Sequence, residues 1–218
     1  MNFRFTLSFF FGLLYFTTIS SGAFGTQDDA SPETTPGEAV ATFAGGCFWC
    51  VESDFDHVAG VIRTISGYTG GNLADPTYKQ VSMGGTGHLE AVQIFYNPRM
   101  INYETLLDIF WRSVDPTDEG GQFCDRGASY RTGIFANSLE QKRLAEFSKH
   151  RLTETGFLGR PIVTLIEMAG PFYPAEDYHQ NYYKKNPIRY EFYRFQCRRD
   201  ARLRGLWGKE AHRGIMKQ

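Results

Sequence analysis

The stretch AVATFAGGCFWCVESDF, residues 39–55, decides how this chain is read. Ala39–Ala44 is short and apolar and reads as a buried strand, after which Phe48, Val51 and Phe55 recur at helical spacing. With Gly45 and Gly46 between them, the expected geometry is strand, glycine turn, helix. Cys47 stands where that helix opens. Unpaired backbone N–H groups and the positive end of the helix dipole meet there, and both favour thiolate. A free cysteine titrates near about 8.5, so only a few per cent is thiolate at neutral pH. Each unit of depression corresponds to about 1.4 kcal/mol of preference for the anion. The competing reading is an inert cysteine filling a tight turn. Two glycines before it and two aromatics after it favour a reactive thiol. Trp49 falls off the apolar stripe and is free to line a cavity beside Cys47, whereas periodicity assigns Phe48 to the core.

Outward from this stretch, the chain has 218 residues, 42% of them hydrophobic, which suffices for one sizeable core and one catalytic domain. A formal charge of −1 gives no argument for nucleic acid or an anionic membrane as partner. Residues 1–25 read as a secretory signal: Asn2 and Arg4 precede an apolar run from Phe5 to Ile19, and Ser21-Gly22-Ala23 or Ala23-Phe24-Gly25 supplies small residues for cleavage. The run is shorter than the roughly 20 residues of a membrane span, so export to periplasm or medium is expected, with a retained anchor as the alternative. Residues 26–37 are polar and Pro/Gly-containing and read as a flexible linker. The catalytic domain is expected over 38–218, as a monomer.

Cys47, Cys50, Cys124 and Cys197 are not spaced as in a small stapled scaffold, and a single C-x-x-C without a matching downstream pair argues against zinc. No metal is expected. Strands are predicted at Val58–Gly67, closed by a turn over Gly67–Gly71, and at His88–Tyr96, Tyr130–Ala136 and Pro161–Met168. A helix is predicted over Tyr103–Val114, and another from Ser138 with Gln141 as its capping box. The mixture lacks regular β-α alternation. It fits an α+β fold, a two-layer α/β sandwich on a mixed sheet with a ferredoxin-like core and extensions.

Gly46-Cys47-Phe48-Trp49, Gly67-Tyr68-Thr69-Gly70-Gly71, Gly87-His88-Leu89-Glu90-Ala91-Val92, Asp125-Arg126-Gly127 and Glu176-Asp177-Tyr178-His179-Gln180, in that order, resemble the A-type peptide methionine sulfoxide reductases from about Ala41 to Trp207. The resemblance implies reduction of methionine sulfoxide, free or in proteins and of the S epimer, by attack of Cys47 on the sulfoxide sulfur. Cys47 would become a sulfenic acid and then half of a disulfide. Glu90 matches the family's catalytic carboxyl. Independently, it shares a strand face with Val92, Ile94 and Tyr96, where desolvation raises a carboxyl's pKa. The resemblance makes Tyr78 and Tyr130 hydroxyl donors to the sulfoxide oxygen, puts Asp125 and His179 at the substrate site, and gives Phe48 and Trp49 the pocket for the S-methyl group. It implies no bound cofactor and a thioredoxin-type reductant.

The departures from the family pattern concern recycling. Many members carry glycine at the position of Cys50 and asparagine at that of Cys124, and this chain lacks the Gly-rich two-cysteine tail of some relatives. The thiol that resolves the sulfenic acid is ranked Cys197, then Cys50, then Cys124. Cys197 has the neighbouring Arg194, Arg198 and Arg199 and a Tyr-Arg-x-x-Cys segment resembling one in bacterial relatives. Two other readings stand beside the reductase. A C-x-x-C thiol–disulfide oxidoreductase leaves Glu90 and the tyrosines without work, and a secreted peptide-binding module leaves Cys47 unexplained.

Overall fold

The computed structural model describes Met1, Asn2 and residues 34–216. The signal beyond its first two residues, and the linker up to Glu33, lie outside the described residues. Thr34–Gly37, the linker's end, is exposed, and the Thr35 N–H donates to the Glu38 carboxylate at 3.0 Å. No helix among the described residues is long and apolar enough to cross a membrane.

The elements follow in order: β1 (Ala39–Gly45), α1 (Phe48–Asp56), β2 (Val61–Thr69), α2 (Tyr78–Met83), β3 (Leu89–Tyr96) and α3 (Tyr103–Ser113). A two-residue hairpin of β4 (Gly121–Gln122) and β5 (Asp125–Arg126) precedes β6 (Thr132–Ala136) and α4 (Leu139–Glu154). Then come β7 (Leu165–Met168), β8 (Tyr173–Pro174), α5 (Tyr182–Lys185), α6 (Pro187–Gln196) and α7 (Arg199–Trp207). Six strands form one sheet in the order β7-β6-β1-β3-β2-β8, antiparallel except for the parallel β6–β7 pair. The segment β1-α1-β2-β3-α3-β6, with spatial order β6-β1-β3-β2, is the expected ferredoxin-like α+β core, and β7 and β8 extend it.

The core fills the space between α1, α3 and the sheet. The Phe43 ring lies 4.8 Å from that of Phe110 and 5.6 Å from that of Phe55, tilted in both cases. Every residue of β3 is buried, so a carboxyl on this strand has no solvent face to turn to. Ser138 caps α4 as expected, its hydroxyl accepting from the Gln141 N–H at 3.1 Å. The Gln141 carboxamide oxygen, however, accepts from the Asn137 N–H, one residue before the cap.

Three expectations shift. The turn predicted over Gly67–Gly71 starts later, because β2 runs through Thr69, with Gly67 paired to both Ala91 and Pro174. Glycine is needed inside this strand: a Cβ at Gly67 would meet the Tyr173 carbonyl at 2.4 Å and the Phe172 ring at 2.5 Å. The strand expected from Tyr130 begins at Thr132, preceded by a 3₁₀ turn over Ala128–Tyr130. The one expected from Pro161 is regular only from Leu165.

Candidate active site

The glycine turn between β1 and α1 places Cys47 as the residue that caps α1, with φ −50° and ψ 120°. Gly46 has φ +84°, and a Cβ there would stand 2.6 Å from that of Gln122. Only glycine fits. The Cys47 carbonyl receives the Cys50 N–H at 3.1 Å, which draws the two cysteines onto one turn. The Phe48 N–H, which the sequence reading leaves free to favour a thiolate, instead donates to the Glu90 carboxylate at 2.9 Å.

That single hydrogen bond rearranges the expected electrostatics. Glu90 is 2% exposed. Burial raises its pKa to about 8, against the pull of the Phe48 N–H and with added repulsion from Asp125 and Cys50. Burial likewise pushes the Cys47 thiol up, and its proton is shared toward Cys50, while Glu90 and Asp125 add negative charge nearby. Cys50 moves the other way. The hydrogen bond from Cys47 lowers it, opposed by burial and helped by the Arg199 and Arg194 guanidinium groups. In the free site the Cys47 thiol donates to Cys50, and burial with nearby negative charge opposes the Cys47 thiolate that the helix opening favours.

Tyr78 opens α2 and Tyr130 closes the 3₁₀ turn before β6, and both hydroxyls interact electrostatically with Glu90, Cys47 and Asp125. Burial pushes Tyr78 up to about 12, with Glu90 and Cys47 adding to it and the Tyr130 hydroxyl, which donates to it, opposing. Tyr130 is raised too, first by burial and then by Glu90. Both remain donors throughout the physiological range. Asp125 accepts from the Tyr193 hydroxyl; burial raises its pKa, and Tyr193 and Arg199 restrain the rise.

Phe48 is buried between the rings of Tyr68, Tyr78 and His179, as its place on the apolar stripe requires. Trp49 is half-buried, stacked on Tyr182 at 3.7 Å and edge-on to Tyr193 at 5.7 Å. Its indole N–H donates to His179 Nδ1 at 3.0 Å. Burial lowers the His179 pKa, so the ring is neutral and fixed as an acceptor that orients Trp49. Glu176 ties the other side, accepting from the Tyr68 hydroxyl and the Tyr78 N–H, each at 2.9 Å.

The cysteines pair differently from the ranking made on sequence. Cys197 is bonded to Cys124, and Cys47 and Cys50 are free and buried. Cys50 is the thiol hydrogen-bonded to Cys47. The pairing joins residues 73 apart in sequence, which no local spacing signals. Sequence reasoning also missed Tyr182 and Tyr193, which lie in an aromatic tail without a usable period, and it read Arg199 only as a neighbour of Cys197. The Arg199 side chain is fully buried and donates to the carbonyls of Gly45 at 3.1 Å and Ser113 at 2.8 Å. The Asp54 carboxylate lies 3.8 Å away.

A buried thiol pair, a carboxyl kept protonated near neutral pH and two phenol donors, set in an aromatic wall, define a thiol-dependent reductase of an oxygen-bearing substrate. Residues 39–211 match the family model described as peptide methionine sulfoxide reductase, and the chain belongs to that family. It is 52% identical over 174 residues to the peptide methionine sulfoxide reductase MsrA of Bacillus pumilus, covering 80% of this chain and 98% of that one. Its identity to the MsrA of Bacillus subtilis is 53% over 169 residues, covering 78% and 96%. Among solved structures, it resembles reduced Mxr1 from Saccharomyces cerevisiae with TM-score 0.65 and 34% identity, over 71% of this chain and 90% of that one. The methionine sulfoxide reductase A of Corynebacterium diphtheriae gives TM-score 0.64 and 33% identity, over 71% and 77%. The chain is an oxidoreductase that reduces methionine sulfoxide to methionine through a thiol–disulfide cycle.

Proposed function

We propose that Cys47 is the nucleophile, Glu90 the acid and Cys50 the resolving thiol of this reaction. The observation that carries the assignment is the Cys47–Cys50 contact beside a buried carboxyl of pKa about 8. The sulfoxide's S-methyl group enters the wall of Phe48 and Trp49, and its oxygen accepts from Tyr78, Tyr130 and Glu90. Cys50 takes the proton of Cys47 along their hydrogen bond as the Cys47 sulfur attacks the substrate sulfur. Glu90 delivers its proton to the oxygen, the oxygen passes from the substrate sulfur to the Cys47 sulfur as the transient sulfur–sulfur bond breaks, and methionine leaves with Cys47 as sulfenic acid. The Cys50 sulfur then attacks Cys47, its proton and the hydroxyl leave as water, and a Cys47–Cys50 disulfide closes. Asp125, positioned by Tyr193, and Trp49, oriented by His179, hold the substrate.

The family resemblance supports the S epimer of the sulfoxide, in proteins or free, and a thioredoxin-type protein as reductant. The N-terminal sequence supports export, which N-terminal sequencing of the cell-free or periplasmic protein checks. Cys47→Ser is expected to release no methionine from pre-reduced protein while keeping the wild-type circular dichroism spectrum. Release at the wild-type rate would remove Cys47 from its role.

A further inference from the structure

Helix α6 carries Ile188, Phe192 and Phe195 at spacings of four and three, so the three share one face, and they are 85%, 64% and 79% exposed. Tyr190, on the opposite face, is buried. Single exposed apolar residues are ordinary, but a stripe of three large ones on one helix marks an interaction surface. This stripe leads to a disulfide. Phe195 lines a cleft with Gln196, Arg198 and Ala201, and those same three residues line the adjoining cleft that contains Cys124 and Cys197. Cys124 is exposed at the surface and Cys197 lies beneath it. The rim carries more cations than acids: Arg189, Arg198, Arg202 and Arg204 are exposed on and between α6 and α7, Arg202 being ion-paired to Asp115, against the exposed Glu191 and the part-exposed Asp200, which is paired with Arg194.

Cys47 and Cys50, by contrast, are 6% and 2% exposed, so a bridge between them offers a protein thiol far less access than the surface Cys124 does. We propose that the Ile188–Phe192–Phe195 stripe, ending at the Cys124–Cys197 bridge, is the docking surface of a dithiol protein that is apolar around its reactive pair and acidic at its edge. The proposal rests on the reading that each turnover leaves Cys47 and Cys50 as a disulfide. The partner's thiolate attacks Cys124, forming a mixed disulfide and releasing Cys197, next to Arg198 in sequence, as a thiolate. The partner's second thiol then displaces Cys124, and the partner leaves oxidised. The Cys124–Cys197 dithiol opens the Cys47–Cys50 bridge by the same two exchanges and closes its own again. Two electrons and two protons pass at each stage, from partner to outer pair to inner pair. The two pairs share a wall: Asp125 follows Cys124 and bears on Cys47, while Tyr193, one turn before Cys197, bears on both inner cysteines and donates to Asp125.

Steady-state turnover with a thioredoxin as reductant, compared with dithiothreitol, tests the surface. In the Phe192→Ser/Phe195→Ser double variant the KM for thioredoxin should rise about tenfold or more, as loss of aromatic anchors does at interfaces, and turnover with dithiothreitol should stay within about twofold. Added salt should raise the same KM in the wild type. A second readout needs no partner: pre-reduced wild type given excess sulfoxide should release two methionines per enzyme, one for each thiol pair, and Cys124→Ser/Cys197→Ser only one. An unchanged KM for thioredoxin in the stripe variant, or one methionine from the wild type, would overturn the proposal. So would a dimer dispersed by the stripe variant with KM unchanged, which would give the stripe to a second copy. Absence of a Cys47–Cys50 bridge in the oxidised Cys124→Ser/Cys197→Ser protein would overturn the underlying reading instead, and peptide mapping separates the two failures.

Discussion

Glu90 holds a proton near neutral pH because burial outweighs the one N–H that stabilises its anion. An unfolded glutamate releases that proton near pH 4.5, the folded one near pH 8, so between those values the folded state binds the proton that the unfolded state has lost. Stability from this group is complete below about pH 4.5 and declines as pH rises toward 8. Glu90→Gln should flatten that decline and be more stable than wild type above pH 8, which urea unfolding at several pH values measures; a steeper decline in the variant would contradict the account. The same substitution removes the acid, and general acid catalysis is worth about two to four orders of magnitude. Single-turnover methionine release by Glu90→Gln should fall by that factor at pH 7, with little change in substrate KM. A loss of less than about tenfold would make the carboxyl structural. The burial of Glu90 was legible in sequence because the motif around it, together with its place on the face of Val92, Ile94 and Tyr96, outweighed the reading of a strand-end glutamate reaching solvent. The upward push on the Cys47 thiol was not, because it comes from burial and from groups as far as Glu90 and Asp125 along the chain.

At the scale of elements, the glycine turn and α7 together fix the nucleophile. Gly46→Ala forces a side chain into a positive-φ position and against Gln122, and should cost about 2 kcal/mol or more. Arg199 holds the same turn from behind through the Gly45 carbonyl, crosses to Ser113 and covers the Phe123 ring at 4.6 Å. Arg199→Met fits the space but leaves Asp54 to Arg194 alone. Breaking a buried charge pair costs about 3–5 kcal/mol, so the variant should lose about 3 kcal/mol in urea unfolding. A loss under about 1 kcal/mol would show that Arg194 suffices for Asp54. The strand–turn–helix containing Cys47 could be read directly, since period 2 and period 3.6 meet at two glycines. The end of β2 could not. Gly67 carries a turn signal in sequence, yet it stands in a strand because Phe172 and Tyr173 come within the space of a Cβ.

For the whole molecule, the split β-α-β core brings β1, β3 and the start of α1 together, and the tail after Pro174 returns across them to complete the site. The order of motifs along the chain made the core and most site residues readable. Contacts made by the returning tail, Tyr182 on Trp49, Tyr193 on Asp125 and Cys197 on Cys124, join residues 68 to 133 apart and left no periodic trace. The Cys124–Cys197 bridge closes a loop across 73 positions, for which the chain-entropy account gives about 4 kcal/mol. Reduction, or Cys124→Ser/Cys197→Ser, should lower the denaturation midpoint accordingly, and an unchanged midpoint would show that the tail is held by packing alone. On the proposed assignment Cys47 and Cys50 carry one complete turnover between them. Its most direct test is the methionine released by pre-reduced Cys124→Ser/Cys197→Ser protein, counted without reductant and followed by peptide mapping. One methionine per enzyme and a Cys47–Cys50 disulfide are predicted; a lasting Cys47 sulfenic acid with Cys50 still a free thiol would contradict the claim.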